Sequence, residues 1–268
     1  MTSAAGPAAA VPPATADDRV LRVEVSGGVA RLTLDSPANR NALSRAMRAR
    51  LRAALTGALA DDAVRVVVLA HTGRVFCSGM DLAEAAGGAA ADQGVHELPE
   101  LLELVWSAPK PVVAVVRGAA RAGGVGLVAA CDVVVAGASA SFAFSEVRLG
   151  LVPATISAVC RARMLPHVLH RLALTGEVFG AADAGGLVDL AVADDEVEAT
   201  VAAQVTALAA GAPAALAETK RLLRSGTDLT GAFPALQALS ARFFAGEEGQ
   251  EGIAAFREKR PARWVPAG

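Results

Sequence analysis

The chain has 268 residues, a formal net charge of -2 and 53% hydrophobic content, enough apolar material for one large domain or two small ones around a buried core. The near-neutral charge, with 8 Phe, 2 Trp and no Tyr, offers a nucleic acid neither a basic footprint nor a stacking platform. The most apolar stretch, 122–131, is bracketed by Arg121 and Asp132 and falls far short of the roughly 20 residues that span a bilayer, so neither partner is expected.

Residues 1–18 are rich in Ala and Pro, with no basic residue before Arg19. This composition reads as a disordered leader and not as a signal peptide, and the expected location is cytoplasmic. Residues 20–25 and 29–34 are short β-rich runs separated by Gly27-Gly28, which predicts a hairpin. The loop Ser36-Pro37-Ala38-Asn39-Arg40-Asn41 follows. Ser44 then stands where a helix N-cap is wanted, and Leu43, Met47, Leu51, Leu55 and Leu59 recur at helical spacing until Asp61-Asp62. Residues 64–70 are a nearly continuous apolar run of the kind buried on both faces of a sheet.

That run leads into a first glycine turn, Phe76-Cys77-Ser78-Gly79-Met80-Asp81-Leu82. Residues 83–94 have no usable period and read as a mobile loop, a candidate lid, and Leu98, Leu101, Leu102 and Val105 then share one helical face. After Pro109-Lys110-Pro111, a second buried-type strand at 112–116 feeds a second glycine turn, Gly118-Ala119-Ala120-Arg121-Ala122-Gly123-Gly124. A helix begins there, its positive end facing whatever approaches the turn. Short strands at 133–136 and 142–144 follow, and beyond Pro153 the chain reads as helical, with breaks near Pro166, Thr175-Gly176, Gly185-Gly186 and Gly211 to Pro213.

Strand, turn and helix have repeated, and each glycine turn can offer one free backbone N–H. Two such donors aimed at one carbonyl oxygen make an oxyanion hole, which stabilises the enolate formed when a proton moves at the α-carbon of a thioester. Gly118 to Gly126 lacks the Gly-Lys-Ser/Thr ending of a phosphate loop and does not fit the dinucleotide fingerprint, so neither ATP nor NAD is expected. Cys77, Cys131 and Cys160 form no CxxC pair and read as small buried thiols, with no metal implied. His71, His96, His167 and His170 are not at ligand spacing with any carboxylate and read as surface groups. Asp81 is expected to fix its turn through backbone hydrogen bonds.

Several ordered blocks carry a family resemblance: Asn41-Ala42-Leu43; the turn 76–82; Lys110-Pro111-Val112-Val113-Ala114; Ala122-Gly123-Gly124; Ala130-Cys131-Asp132; Ser145-Glu146-Val147-Arg148-Leu149-Gly150-Leu151-Val152-Pro153; Leu174-Thr175-Gly176; and Phe256-Arg257-Glu258-Lys259-Arg260. Over residues 20–264 the chain resembles the crotonase superfamily, the enoyl-CoA hydratase/isomerase fold. The resemblance implies an α/β spiral of ββα turns (residues 19–200) followed by a helical C-terminal trimerisation region (201–268), assembled as a homotrimer or homohexamer. It implies acyl-CoA thioester substrates, with CoA as part of the substrate and no separate cofactor. By position, the oxyanion donors would be the N–H groups of Ser78 and Gly123, and Ser78, Gly79, Met80, Asp81 and Leu82 would line the CoA and thioester site. Phe256 and Lys259 would help bind CoA, and Arg74, just before the first turn, is placed to meet a CoA phosphate. Glu146 falls on the family's catalytic acid/base glutamate, whose pKa burial against Phe142, Phe144 and Leu149 would raise.

Two departures from the family pattern bear on the reaction. The second glutamate of the two-glutamate hydratases is Gly126 in this chain, and Ala154-Thr155-Ile156-Ser157 replaces a glycine-rich segment after Pro153. That segment, with Ser145 to Gly150 before it, is similar to methylglutaconyl-CoA hydratases and related branched-acyl enzymes. Hydration of a 2-enoyl-CoA by one glutamate is the leading expectation. A 3,2-enoyl-CoA isomerase, which needs only one carboxylate, and a catalytically weak acyl-CoA-binding protein are the alternatives.

Overall fold

Both glycines of Gly27-Gly28 take positive φ, 55° and 79°, as a two-residue hairpin turn of the I′ type requires. The turn pairs β1 (Leu21–Ser26) antiparallel with β2 (Val29–Leu34), Leu21 opposite Leu34, and β2 buries Ala30, Leu32 and Leu34 on one face. The computed structural model describes residues 20–85, 96–224, 229–260 and 262. The leader 1–18 and most of the candidate lid lie outside them.

Helix α1 (Arg45–Ala60) starts where the Ser44 hydroxyl accepts the Met47 N–H at 3.2 Å, and it buries Met47, Leu51 and Leu55 as the spacing predicts. The chain then winds. β3 (Val66–His71) lies parallel to β2, and β4 (Val75–Cys77) opens a second sheet. After α2 (Leu82–Ala85) and α3 (Glu97–Trp106), β5 (Val112–Val116) returns beside β3 and β6 (Ala119–Arg121) beside β4, both parallel. After α4 (Gly123–Ala130), β7 (Val133–Gly137) joins β5 and β8 (Ser141–Ala143) joins β6. Each circuit therefore deposits one strand in each sheet and one helical segment, which is the predicted spiral of ββα turns.

The remainder comprises α5 (Ala154–Arg163), α6 (Pro166–Thr175), β9 (Phe179–Gly180), β10 (Leu190–Val192), α7 (Val197–Ala210), α8 (Pro213–Arg224), α9 (Leu229–Ala245) and α10 (Glu247–Glu258). Strands β9 and β10 were not predicted. They are two and three residues long, too short to show a period, and exist because β8 and β7 present edges to pair with.

Parallel strands β3 and β5 are buried on both faces. Val67 and Leu69 face the main core with α1, α3 and α4, whereas Val66, Val68 and Val113 face Val197 and Val201 of α7. The boundary expected at residue 200 thus falls inside a helix that covers the first sheet, and α7 packs with the spiral. His71 also departs from expectation. It is half-buried at the end of β3, its Nε2 accepts the Arg117 N–H at 3.0 Å and Nδ1 sits 3.3 Å from the Thr72 carbonyl, an arrangement that holds the ring neutral. Desolvation accordingly lowers its pKa. His96, His167 and His170 are exposed.

Asn41 ties the 36–41 loop to the start of the second sheet. It is fully buried, takes a φ of 52°, accepts the Ser36 N–H at 2.7 Å and donates to the carbonyls of Thr72 at 3.0 Å and Val75 at 2.7 Å. Asn41→Ala strands all three backbone groups at once. The expected loss is roughly 3 kcal/mol or more, read as a lower urea midpoint with an unchanged m-value.

Candidate active site

Strands β4 and β6 are parallel neighbours, so the two glycine turns leave the same end of the second sheet side by side. The contact is made by backbone. A Cβ on Gly124 would stand 2.5 Å from the Cys77 carbonyl oxygen, and one on Gly79 would stand 3.0 Å from the Ala122 Cβ and 3.5 Å from the Gly123 nitrogen. Side chains would drive the turns apart.

Tracing each amide separates engaged donors from free ones. The Ser78 N–H donates to the Arg40 carbonyl at 3.1 Å, which corrects the expectation that this amide is the open donor of the first turn. Arg40 and Asn41 both sit in the left-handed region, and that bend presents the carbonyl. Gly79 donates to the Cys77 sulfur at 3.5 Å and its carbonyl accepts the Leu43 N–H at 2.8 Å. The next amide, on Met80, has no acceptor among the described residues. On the second turn, Ala122 donates to the Ala143 carbonyl at 3.1 Å, whereas the amides of Gly123 and Gly124, the first residues of α4, have none, as the first turn of a helix leaves them. Ala122 holds φ 47° and ψ -119°, a strained conformation for a residue with a side chain, and so turns the peptide into α4.

Glu146 lies on the 3-10 turn Ser145–Leu149 that follows β8. It is 8% exposed, its Oε2 has no hydrogen-bond partner, and desolvation pushes its pKa up to about 7, the direction expected from the sequence. A cavity of about 80 Å³ is walled by Ser78, Met80, Gly123, Glu146, Thr155 and Phe244, among others. Met80 and Gly123, each with a free amide, and the unpartnered Oε2 of Glu146 thus share one small chamber.

Larger hollows lie elsewhere. One of about 390 Å³ is floored by Asp132, already paired with Lys220 at 2.7 Å and Arg224 at 2.9 Å, with Arg224 stacked 3.8 Å over Trp106. Another of about 460 Å³ runs along α6 beside Phe144 and Leu169. Neither has a buried, unpartnered carboxyl group in its wall, so chemistry is assigned by the groups present and not by volume.

The expected site residues divide. Ser78, Met80, Leu82, Gly123 and Glu146 line the chamber, with Gly79 directly behind at the turn contact. Asp81 does fix its turn, accepting the N–H groups of Ala83 at 3.0 Å and Glu84 at 3.4 Å. Arg74 is exposed and outside the wall, as are Phe256, 48% exposed on α10, and Lys259 just after it. No local signal marks Ser240 and Phe244 of α9, which border the chamber from a distant part of the chain. Arg48 was also missed: buried in α1, it donates to the Leu43 carbonyl and to Glu97 of α3, bracing the segment that Gly79 grips. Cys77, Cys131 and Cys160 are buried free thiols, and burial raises all three pKa values.

A model of the enoyl-CoA hydratase/isomerase family matches residues 24–266. The chain belongs to that family. A protein of Rhodobacter capsulatus named "Probable enoyl-CoA hydratase" is 40% identical over 255 residues, covering 91% of this chain and 97% of its own. The crystal structure of an enoyl-CoA hydratase from Mycobacterium avium superposes with a TM-score of 0.83 at 40% identity, over 92% of this chain and 100% of that one. The spiral is therefore the crotonase fold, and the protein is an enzyme of the hydratase/isomerase family acting on acyl-CoA thioesters.

Within that family the two departures noted in the sequence are one physical fact. A Cβ on Gly126 would stand 2.4 Å from Cγ2 of Ile156 and 3.5 Å from Cδ1 of Leu102; the α5 isoleucine fills the space beside α4 that a longer side chain at 126 needs. Gly126→Glu alone is expected to overpack this contact and cost about 1–3 kcal/mol or more. Adding Ile156→Gly should recover much of that loss, measured by thermal unfolding of the single and double variants.

Proposed function

We propose that this enzyme hydrates 2-enoyl-CoA thioesters using Glu146 as its single acid/base and the N–H groups of Met80 and Gly123 as the oxyanion donors. The observation that carries this is the buried Glu146 carboxyl, its Oε2 without a partner, lining the same chamber as Met80 and Gly123 of the two turns. Water adds to C3 as Glu146 takes one of its protons. The C2=C3 electrons move onto the thioester oxygen, where the two amides hold the negative charge, and Glu146 returns the proton to C2 as the carbonyl re-forms. One carboxyl group suffices because it receives and delivers the same proton. A pKa raised to about 7 keeps both the proton-accepting and the proton-donating form of Glu146 accessible near neutral pH.

A relative from Aspergillus fumigatus named mevalonyl-coenzyme A hydratase, 33% identical over 247 residues, supports hydration and a branched acyl group. The glycine at 126 suits 3,2-enoyl-CoA isomerisation as well, since that reaction also needs one carboxylate. Consumption of the conjugated enoyl absorbance identifies a hydratase; its appearance from a 3-enoyl-CoA identifies an isomerase. For the CoA end, Phe256 and Lys259, which stand off this chain's own chamber, are assigned to a neighbouring subunit's site in a homotrimer or homohexamer.

Glu146→Gln should lower kcat about 100- to 10,000-fold with KM within a few-fold; thioester binding with no turnover in the wild type would instead identify a binding protein. Because the ionised form starts the reaction, kcat/KM should rise with pH and level off above about 7. The stability effect runs the other way. A carboxyl whose folded pKa lies above its unfolded value near 4.5 stabilises the fold while protonated and loses that contribution as pH climbs through 7, so Glu146→Gln should be more stable than wild type at pH 8 by up to about 3 kcal/mol. Urea unfolding at pH 5 and pH 8 measures the difference.

A further inference from the structure

We propose that the Thr155 hydroxyl, in the first turn of α5, holds the attacking water beside Glu146 and so does the water-positioning for which position 126 has no side chain. The proposal rests on the hydratase function above and assigns a residue to it.

Thr155 is 6% exposed, yet its hydroxyl has no hydrogen-bond partner among the described residues, and it lines the same chamber as Glu146. A hydroxyl on a mostly buried residue that lines a chamber and has no protein partner is served by water or by a ligand. Ser78, Ser145 and Ser240 also border the chamber but are partly open to solvent, and Ser157, on the next face of α5, donates to the Ala154 carbonyl at 2.7 Å. The volume of about 80 Å³ accommodates roughly two or three waters.

The helix end supplies a second reason. The first backbone bond of α5 is Ser157 N–H to the Pro153 carbonyl at 2.9 Å, so the amides of Ala154, Thr155 and Ile156 have no acceptor among the described residues, and all three residues are in the chamber wall. This ten-residue helix therefore turns its positive end toward the place where water becomes hydroxide-like as it attacks. Ile156 keeps the region beside α4 filled, and the water is placed between Thr155 and Glu146, which both line the chamber. There Thr155 Oγ accepts one water hydrogen, Glu146 takes the other as a proton, and the remaining lone pair forms the bond to C3. No other reactant enters, and the product carries the added hydroxyl on C3.

The test compares wild type, Thr155→Val, Thr155→Ala and Thr155→Ser in two reactions: hydration of a panel of 2-enoyl-CoA thioesters, and exchange of the α-protons of butyryl-CoA in deuterium oxide followed by mass. Exchange uses Glu146 and the oxyanion amides but adds no water to carbon. Thr155→Val and Thr155→Ala should lower the hydration kcat on the order of 100-fold, as loss of a positioning contact does, with KM little changed. Thr155→Ser should restore it to within about 5-fold of wild type, and exchange should stay within about 3-fold in every variant. Hydration at the wild-type rate in the Val or Ala variant overturns the assignment. So does an equal fall of exchange and hydration, which would make Thr155 a packing residue. If wild type exchanges α-protons but hydrates no member of the panel, the hydratase function itself fails and takes this role with it.

Discussion

The structure depends on two turns touching through their backbones. Cys77 to Gly79 and Ala122 to Gly124 can meet only because Gly79 and Gly124 carry no Cβ, the latter having 2.5 Å of clearance to a carbonyl oxygen. Parallel pairing of β4 with β6 brings the turns to the same edge, and the spiral exists to set those strands side by side. Neighbouring contacts then decide which amides remain free. Arg40 takes the Ser78 N–H, Leu43 holds the Gly79 carbonyl, and Asn41 and Arg48 fix the segment that supplies both. The free amide is displaced two residues along the chain, to Met80.

Burial sets the chemistry of the carboxyl group opposite. Glu146 lies on a short turn over which α10 packs so closely that a Cβ on Gly252 would come within 2.0 Å of the Leu149 carbonyl oxygen. Leu151, Phe244 and Ile253 form a small apolar cluster there. Desolvation destabilises the anion and raises its pKa, so the same packing that disfavours the charge suits it to proton transfer near neutrality. The C-terminal helices, expected to serve assembly, thus also close the chamber of their own chain.

Much of this was legible in the sequence. The hairpin at Gly27-Gly28, the Ser44 cap, the doubly buried strands and the two glycine turns are local signals, each set by conformational freedom, capping or hydrophobic period. The ordered motifs point to Glu146 and Gly123, which line one chamber, and show Gly126 where the two-glutamate hydratases carry a carboxylate. Residue 200 lies inside α7, and nothing local in the sequence tells that Val197 and Val201 pack on the first sheet. The resemblance points to the Ser78 amide because a motif gives the place of a turn without showing which of its amides a neighbour has already taken.

The sequence by itself determined most of the elements and the two glycine turns, because these follow from periodicity and backbone freedom over a few residues, and its ordered motifs carried the resemblance that implied the spiral and the place of Glu146. Only the tertiary structure decided that the Ser78 amide is engaged and the Met80 amide free, that Ile156 occupies the space left by Gly126, and that Thr155 and Phe244 reach the chamber. Those outcomes depend on which distant atoms share a few ångströms, and that is fixed when the layers pack.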